Sequence, residues 1–295
     1  MKTRLLSLPL LLLGLFTGHL ASVAQAKGFI IPDSSTHTIT SDTLGRTYDI
    51  YVKVPKEYHS VYAAQKRYPV IYLNDGPYTF QVASGVTHLP MNIGKLEKAI
   101  VVGLSFAEGE NGMDSRVRDL TPTEDKGWTR YQTGGAPEYL TFLEKEVIPY
   151  VEKHYRADSS NRTLAGQSLG GSFGAWVLLT RPDLFNNYIL TSGSYWYHDR
   201  VIFAMEERYA EQHNDLKARV YFAVGEHEDL EHRNTRNDMV GDQQALVAKL
   251  RSRGYPSLVI KDDIISEGLH ETTFPIGFTR GVRWLFDKPQ ESHKP

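Results

Sequence analysis

The hydrophobic pattern divides the chain into two regimes. Near the start, residues 36–40 and 48–54 alternate polar with β-branched or aromatic residues on either side of Leu44-Gly45. That period of two predicts an antiparallel hairpin with one solvated face. Beyond it, residues 68–73, 99–104, 162–165, 188–191 and 220–224 form short apolar runs, each closed by Gly, Asn or Ser. Continuous runs bounded in this way predict strands buried on both faces. Between them, residues 137–154 place Tyr139, Leu140, Phe142, Leu143, Val147, Ile148 and Val151 on a helical stripe, and residues 237–253 do the same with Met239, Val240, Leu246, Val247 and Leu250. A late run at 258–260, with Ile264-Ile265 beyond it, precedes a closing helix over 273–286. Strands alternating with helices predict an α/β fold: a mostly parallel central sheet with an N-terminal antiparallel hairpin and helices on both faces. In such sheets, binding and chemistry gather beyond the C-terminal ends of the strands.

The first residues stand apart from this pattern. Met1-Lys2-Thr3-Arg4 gives a positive start, residues 5–21 are apolar and leucine-rich, and Ala24-Gln25-Ala26 offers the small residues that a signal peptidase reads. Residues 1–26 are therefore expected to be a cleaved signal peptide, residues 27–288 a single catalytic domain, and residues 289–295 a disordered tail. Export to the periplasm or the medium follows, with no stable membrane contact after cleavage. Of the 295 residues, 33 are Lys or Arg and 35 are Asp or Glu; removal of Lys2 and Arg4 leaves 31 basic residues against 35 acidic. So mild a balance argues against nucleic acid as the partner. With no cysteine, neither a disulfide framework, a thiolate metal site nor a cysteine nucleophile is available.

Chemistry enters at Gly166-Gln167-Ser168-Leu169-Gly170-Gly171. A strand leads into this run and a helix-like segment at 175–179 follows, so Ser168 sits at a strand–turn–helix junction. A nucleophile elbow needs small residues two before and two after the serine, and Gly166 and Gly170 meet that need. These features predict the α/β-hydrolase fold, with Ser168 as nucleophile and the N–H of Leu169 as an oxyanion donor. The partners follow in the order serine, acid, histidine. His270 lies between the last strand and the closing helix, and an imidazole with a pKa of about 6.5 can take the serine proton and return it. The acid is a choice among Glu226, Glu228 and Asp229. Its usual place, three residues after the strand-ending Gly225, favours Glu228 and leaves the other two open. A second oxyanion donor is expected from Asn74-Asp75-Gly76-Pro77-Tyr78. Pro77 has no N–H, which leaves Gly76, the residue adopted for the role, or Tyr78. In the polar stretch 116–122, Arg118 is a candidate to hold an anionic or catechol-bearing substrate by paired N–H bonds, the alternative being an ion pair with Asp119. Trp196, in the aromatic run 195–197, is a candidate wall of the substrate pocket, and a buried core aromatic is its alternative. No H-E-x-x-H arrangement suggests zinc, and the chemistry requires no metal or organic cofactor.

With these residues in place, the sequence resembles the putative-esterase (esterase-D-like) family of α/β-hydrolases, nearest the branch of siderophore esterases that cut enterobactin-type trilactones. The resemblance spans residues 36–286. It rests on Tyr72-Leu73-Asn74-Asp75-Gly76, Arg118-Asp119-Leu120-Thr121-Pro122-Thr123, residues 142–150, residues 165–171 and Gly268-Leu269-His270. It implies catalytic roles for Ser168 and His270 and an aromatic role for Trp196, whereas Asn74 and Pro77 depart from the family pattern at the oxyanion loop. The expected activity is hydrolysis of a small-molecule carboxylic ester through an acyl-enzyme. The alternatives are acyl transfer from the same nucleophile and a non-catalytic binding role on a hydrolase scaffold.

Overall fold

The computed structural model describes residues 28–232 and 235–288; the expected signal peptide and the expected tail lie outside the described residues. A compact unit begins at Ile31. Its strands are β1 (Ser34–Ser41), β2 (Arg46–Lys53), β3 (Tyr68–Leu73), β4 (Ile100–Ala107), β5 (Ala157–Gln167), β6 (Asn187–Thr191), β7 (Ala218–Gly225) and β8 (Leu258–Ile265). They form one sheet in the order β1-β2-β4-β3-β5-β6-β7-β8. The β1–β2 and β2–β4 pairings are antiparallel and all the others are parallel. This is the α/β-hydrolase arrangement, and the hairpin forms one edge.

Both faces are covered. On one, α1 (Gly76–Asn92) and α8 (His270–Phe286) bring Phe80, Ala83, Phe274, Phe278 and Val282 against Ile71, Leu73, Val101 and Ile189. On the other, α2 (Gly112–Leu120), α3 (Ala136–Phe142), α4 (Ile148–His154), α5 (Leu169–Thr180), α6 (Tyr197–Gln212) and α7 (Met239–Ser252) pack on Val70, Tyr72, Leu164 and Leu190. Every residue of β3 and β6 is buried, which is why those strands read as unbroken apolar runs rather than alternating ones.

Three elements differ from the sequence expectation. The helix expected over 137–154 is interrupted by a π-type turn at Leu143–Val147, where the N–H of Ile148 reaches back to the Leu143 carbonyl. Pro149 accounts for this: it has no N–H to donate, and its ring displaces the carbonyl four residues earlier. The polar stretch containing Arg116 and Arg118 is helical, as α2, with the Asn111 side chain accepting the N–H of Met113 at 2.8 Å as its cap. The closing helix starts at His270 rather than at Thr273. Thr272 Oγ1 accepts the N–H of Leu269 at 3.0 Å and closes its first turn, so His270 sits on a helix and not in a loop.

Candidate active site

The strand–turn–helix junction is as sharp as the glycines suggest. Ser168 has φ 60° and ψ −119°, outside the regions that L-residues ordinarily occupy. A Cβ on Gly166 would lie 2.3 Å from the Gly170 carbonyl oxygen, and one on Gly171 would lie 2.9 Å from the Thr191 carbonyl oxygen. Gly170 is less constrained, its nearest neighbour being Asn74 Cβ at 3.3 Å. Gly166 and Gly171 are thus the positions that the turn demands. The Ser168 N–H donates to Thr191 at 3.0 Å, which moors the elbow to β6.

Leu169 is the first residue of α5 and Gly76 the first of α1, so their N–H groups have no carbonyl partner within their helices. Of the two candidate second donors, Gly76 and Tyr78, one is already engaged. The N–H of Tyr78 donates to the Asp75 carbonyl at 3.0 Å, and Pro77 has none. Asp75, with φ 55°, does not cap α1 with its carboxylate. It forms instead a two-pronged ion pair with Arg116, Nε to Oδ1 at 2.8 Å and Nη2 to Oδ2 at 3.0 Å. That pairing keeps the carboxylate off the N–H groups at the start of α1. Asp75 and Asn74 also flank Gly170, which brings the two helix N-termini together at Ser168.

A second cluster is the acid–histidine pair. His270 Nδ1 is 2.7 Å from Glu228 Oε2, with Glu228 fully buried. The second carboxylate oxygen of Glu228 accepts from Ser192 Oγ at 2.7 Å, Thr273 Oγ1 at 2.7 Å and the Gly225 N–H at 2.8 Å. Burial pushes the Glu228 pKa upward, but the hydrogen bonds from His270, Ser192 and Thr273 outweigh it, and the carboxyl is held below its ordinary value. The two rival acids face elsewhere. Glu226 accepts from Ser266 and from the Glu267 N–H, and Asp229 pairs with His232. Gln167 ties the halves together, donating through Nε2 to the His270 carbonyl at 2.8 Å while its own carbonyl accepts from Thr191. The sequence reading had not singled out Ser192, Thr273 or Gln167. A buried carboxylate's need for donors is the signal that leads to the first two.

The candidate substrate residues part ways. Arg118 is not placed to meet a ligand: Nε and Nη2 bind Asp119 at 2.8 and 3.2 Å, Nη1 binds Glu110, and Nη2 also reaches the Tyr48 hydroxyl at 3.4 Å. The expectation that it holds substrate is corrected. Its guanidinium is buried and its donors serve the charge of Asp119. Trp196 is partly exposed and stacks on Trp128, with ring centroids 6.2 Å apart and planes 12° apart. The turn that follows it is left-handed at three consecutive residues, His198, Asp199 and Arg200. Such a turn costs roughly 1–2 kcal/mol per residue, and it is held by His198 to Thr123 at 2.7 Å and by Arg200 to the buried Asp242.

Known proteins resemble this chain in sequence and in fold. A family model described as Putative esterase matches residues 41–258. The ferri-bacillibactin esterase BesA of Bacillus subtilis is 28% identical over 273 residues, which is 88% of this chain and 91% of that protein. The siderophore enterobactin esterase of Emericella nidulans is 31% identical over 164 residues, covering 50% of this chain and 53% of that one. Among solved structures, the BES protein from Bacillus cereus superposes with a TM-score of 0.77 at 27% identity, covering 90% of this chain and 98% of that one.

Three outcomes follow from these contacts. Arg118→Ala strands Asp119 in the interior and is expected to cost about 3–5 kcal/mol in denaturant unfolding, with KM for a small ester unchanged. Glu228→Gln is expected to lower kcat by about 10³–10⁴-fold, whereas Glu226→Gln and Asp229→Asn stay near wild type in the same ester assay. The native pKa of Glu228 lies below the unfolded value of about 4.3. Its ionised form therefore stabilises the native state above that pH, and the contribution is lost as pH falls through the native pKa. The gap in unfolding midpoint between wild type and Glu228→Gln should accordingly narrow on acidification below about pH 4.3.

Proposed function

Because the chain belongs to the Putative esterase family and is a carboxylic-ester hydrolase, we propose that it works through an acyl-enzyme on Ser168. In this reading Ser168 Oγ attacks the ester carbonyl and His270 takes its proton. Glu228 holds the imidazole by Nδ1 and stabilises its cation. The carbonyl oxygen, negative in the tetrahedral intermediate, is received by the N–H groups of Leu169 and Gly76. His270 then protonates the departing alcohol, and water releases the acyl group by the reverse sequence. The observation that carries the reading is the 2.7 Å contact between His270 and a fully buried, ionised Glu228. Burying a carboxylate is costly unless it serves a partner.

The substrate class we assign is a siderophore ester of the trilactone type. The names of the relatives support it, and so does the Trp128–Trp196 stack two residues beyond Ser194, a flat apolar wall suited to an aromatic acyl group. The leader read in residues 1–26 would put the enzyme outside the cytoplasm.

Ser168→Ala should lower kcat by about 10⁴–10⁶-fold on p-nitrophenyl esters and abolish labelling by a fluorophosphonate; turnover like that of the wild type would sink the acyl-enzyme. Trp196→Ala should raise KM for a catecholate trilactone and leave KM for p-nitrophenyl acetate unchanged. Equal effects on both esters would count against the aromatic wall.

A further inference from the structure

The loop after β6 carries two serines on either side of Gly193, and they are used differently. Ser192 is spent on Glu228. Ser194 is 1% exposed, and its Oγ lies 3.3 Å from Ser168 Oγ. Its backbone is locked, since its N–H donates to the Ser168 carbonyl at 3.1 Å and its carbonyl accepts from Tyr197 at 3.1 Å. A buried hydroxyl needs an acceptor, and Ser168 Oγ is the one recorded for it among the described residues. If the proton of Ser168 is directed to His270, the lone pair that remains on Ser168 Oγ is the acceptor for the Ser194 hydroxyl.

We propose that Ser194 is a further catalytic residue that donates a hydrogen bond to Ser168 Oγ and acts chiefly in deacylation. The inference rests on the reading of Ser168 as nucleophile. In deacylation, water adds to the acyl carbonyl and gives a proton to His270. The C–Oγ bond then breaks, its electron pair moves onto Ser168 Oγ, and the proton on His270 follows it. The acid departs and the proton of Ser194 stays on Ser194 throughout. As the bond breaks, negative charge grows on Oγ, and a donor already in place stabilises it. Only interactions stronger in the transition state than in the ground state accelerate a step. In the acyl-enzyme, Oγ is the bridging oxygen of an ester, with its lone pair drawn into the carbonyl, and it accepts hydrogen bonds poorly. In the free enzyme, Oγ belongs to a hydroxyl that already accepts the bond. The gain on reaching the transition state is therefore larger for deacylation than for acylation.

The test separates the two steps. With p-nitrophenyl acetate as probe, stopped-flow burst kinetics give acylation, and mass spectrometry of quenched enzyme follows decay of the acetyl group on Ser168. Ser194→Ala should slow deacylation by about tenfold and change acylation by less than about twofold, so that acetyl-enzyme accumulates. Ser194→Thr, which keeps a hydroxyl, should restore deacylation. Ser194→Cys fills the same space with a weak donor and should remain slow, so that a loss of folding in the alanine variant does not mask the result. Deacylation at the wild-type rate in Ser194→Ala or Ser194→Cys, or equal loss in both steps, overturns the inference. Ser168→Ala measured alongside keeps the two readings apart: turnover there refutes the nucleophile, whereas an inactive Ser168→Ala with normal deacylation in the Ser194 variants refutes the role of Ser194 alone.

Discussion

A carboxylate removed from water persists as an anion only where donors replace its hydration. Glu228 is supplied with four such donors: the Gly225 N–H at the end of β7, Ser192 beyond β6, and Thr273 and His270 on α8. One buried charge therefore fixes the relative placement of two adjacent strands and the helix that covers them. The same carboxylate holds the imidazole by Nδ1, so the requirement that stabilises this corner of the fold would also orient the base of the proposed mechanism. Loss of any one donor would leave its charge less compensated, which makes the corner costly to disturb.

The other side of the site stores strain. Ser168 occupies a backbone conformation that costs of order 1–3 kcal/mol, and close approach at Gly166 and Gly171 leaves the chain no room to relax. The burial of α5 from Leu169 through Leu179 opposes that strain, because apolar area removed from water contributes about 25 cal/mol per Å². A serine held this way cannot retreat into the surface.

What the sequence made legible follows from where the information lies. Strands β3 to β7 were readable because burial on both faces demands a local run of apolar residues, and Glu228 could be proposed as the partner of His270 because its distance from Gly225 is local. Helix α2 was not. Its buried residues include Ser115, Arg118 and Asp119, which satisfy one another with Tyr48 across the sheet edge, so the usual apolar stripe is replaced by a polar network. For Arg118 the sequence left two readings open, because the neighbouring Asp119 is visible as a partner whereas the burial that comes with Glu110 and Tyr48 is not. Thr273 and Ser192 could be assigned only once the strand order had brought β6, β7 and α8 together.

These parts combine into a site whose charges are set before substrate arrives. In the proposed mechanism the tetrahedral intermediate separates charge, with an oxyanion at the helix N-termini and an imidazolium at His270. The N-termini of α1 and α5 offer N–H groups and the positive ends of their dipoles to the first. Buried Glu228 offers a full negative charge to the second. Asp75 would spoil this arrangement if left alone, since it would place an anion beside the oxyanion. The two-pronged bond from Arg116 cancels that charge and diverts the carboxylate from capping α1, so the Gly76 N–H stays available. The departure from the family pattern at Asn74 and Pro77 is therefore compatible with a working donor. It removes one N–H from the loop and leaves the neighbouring one at the helix end.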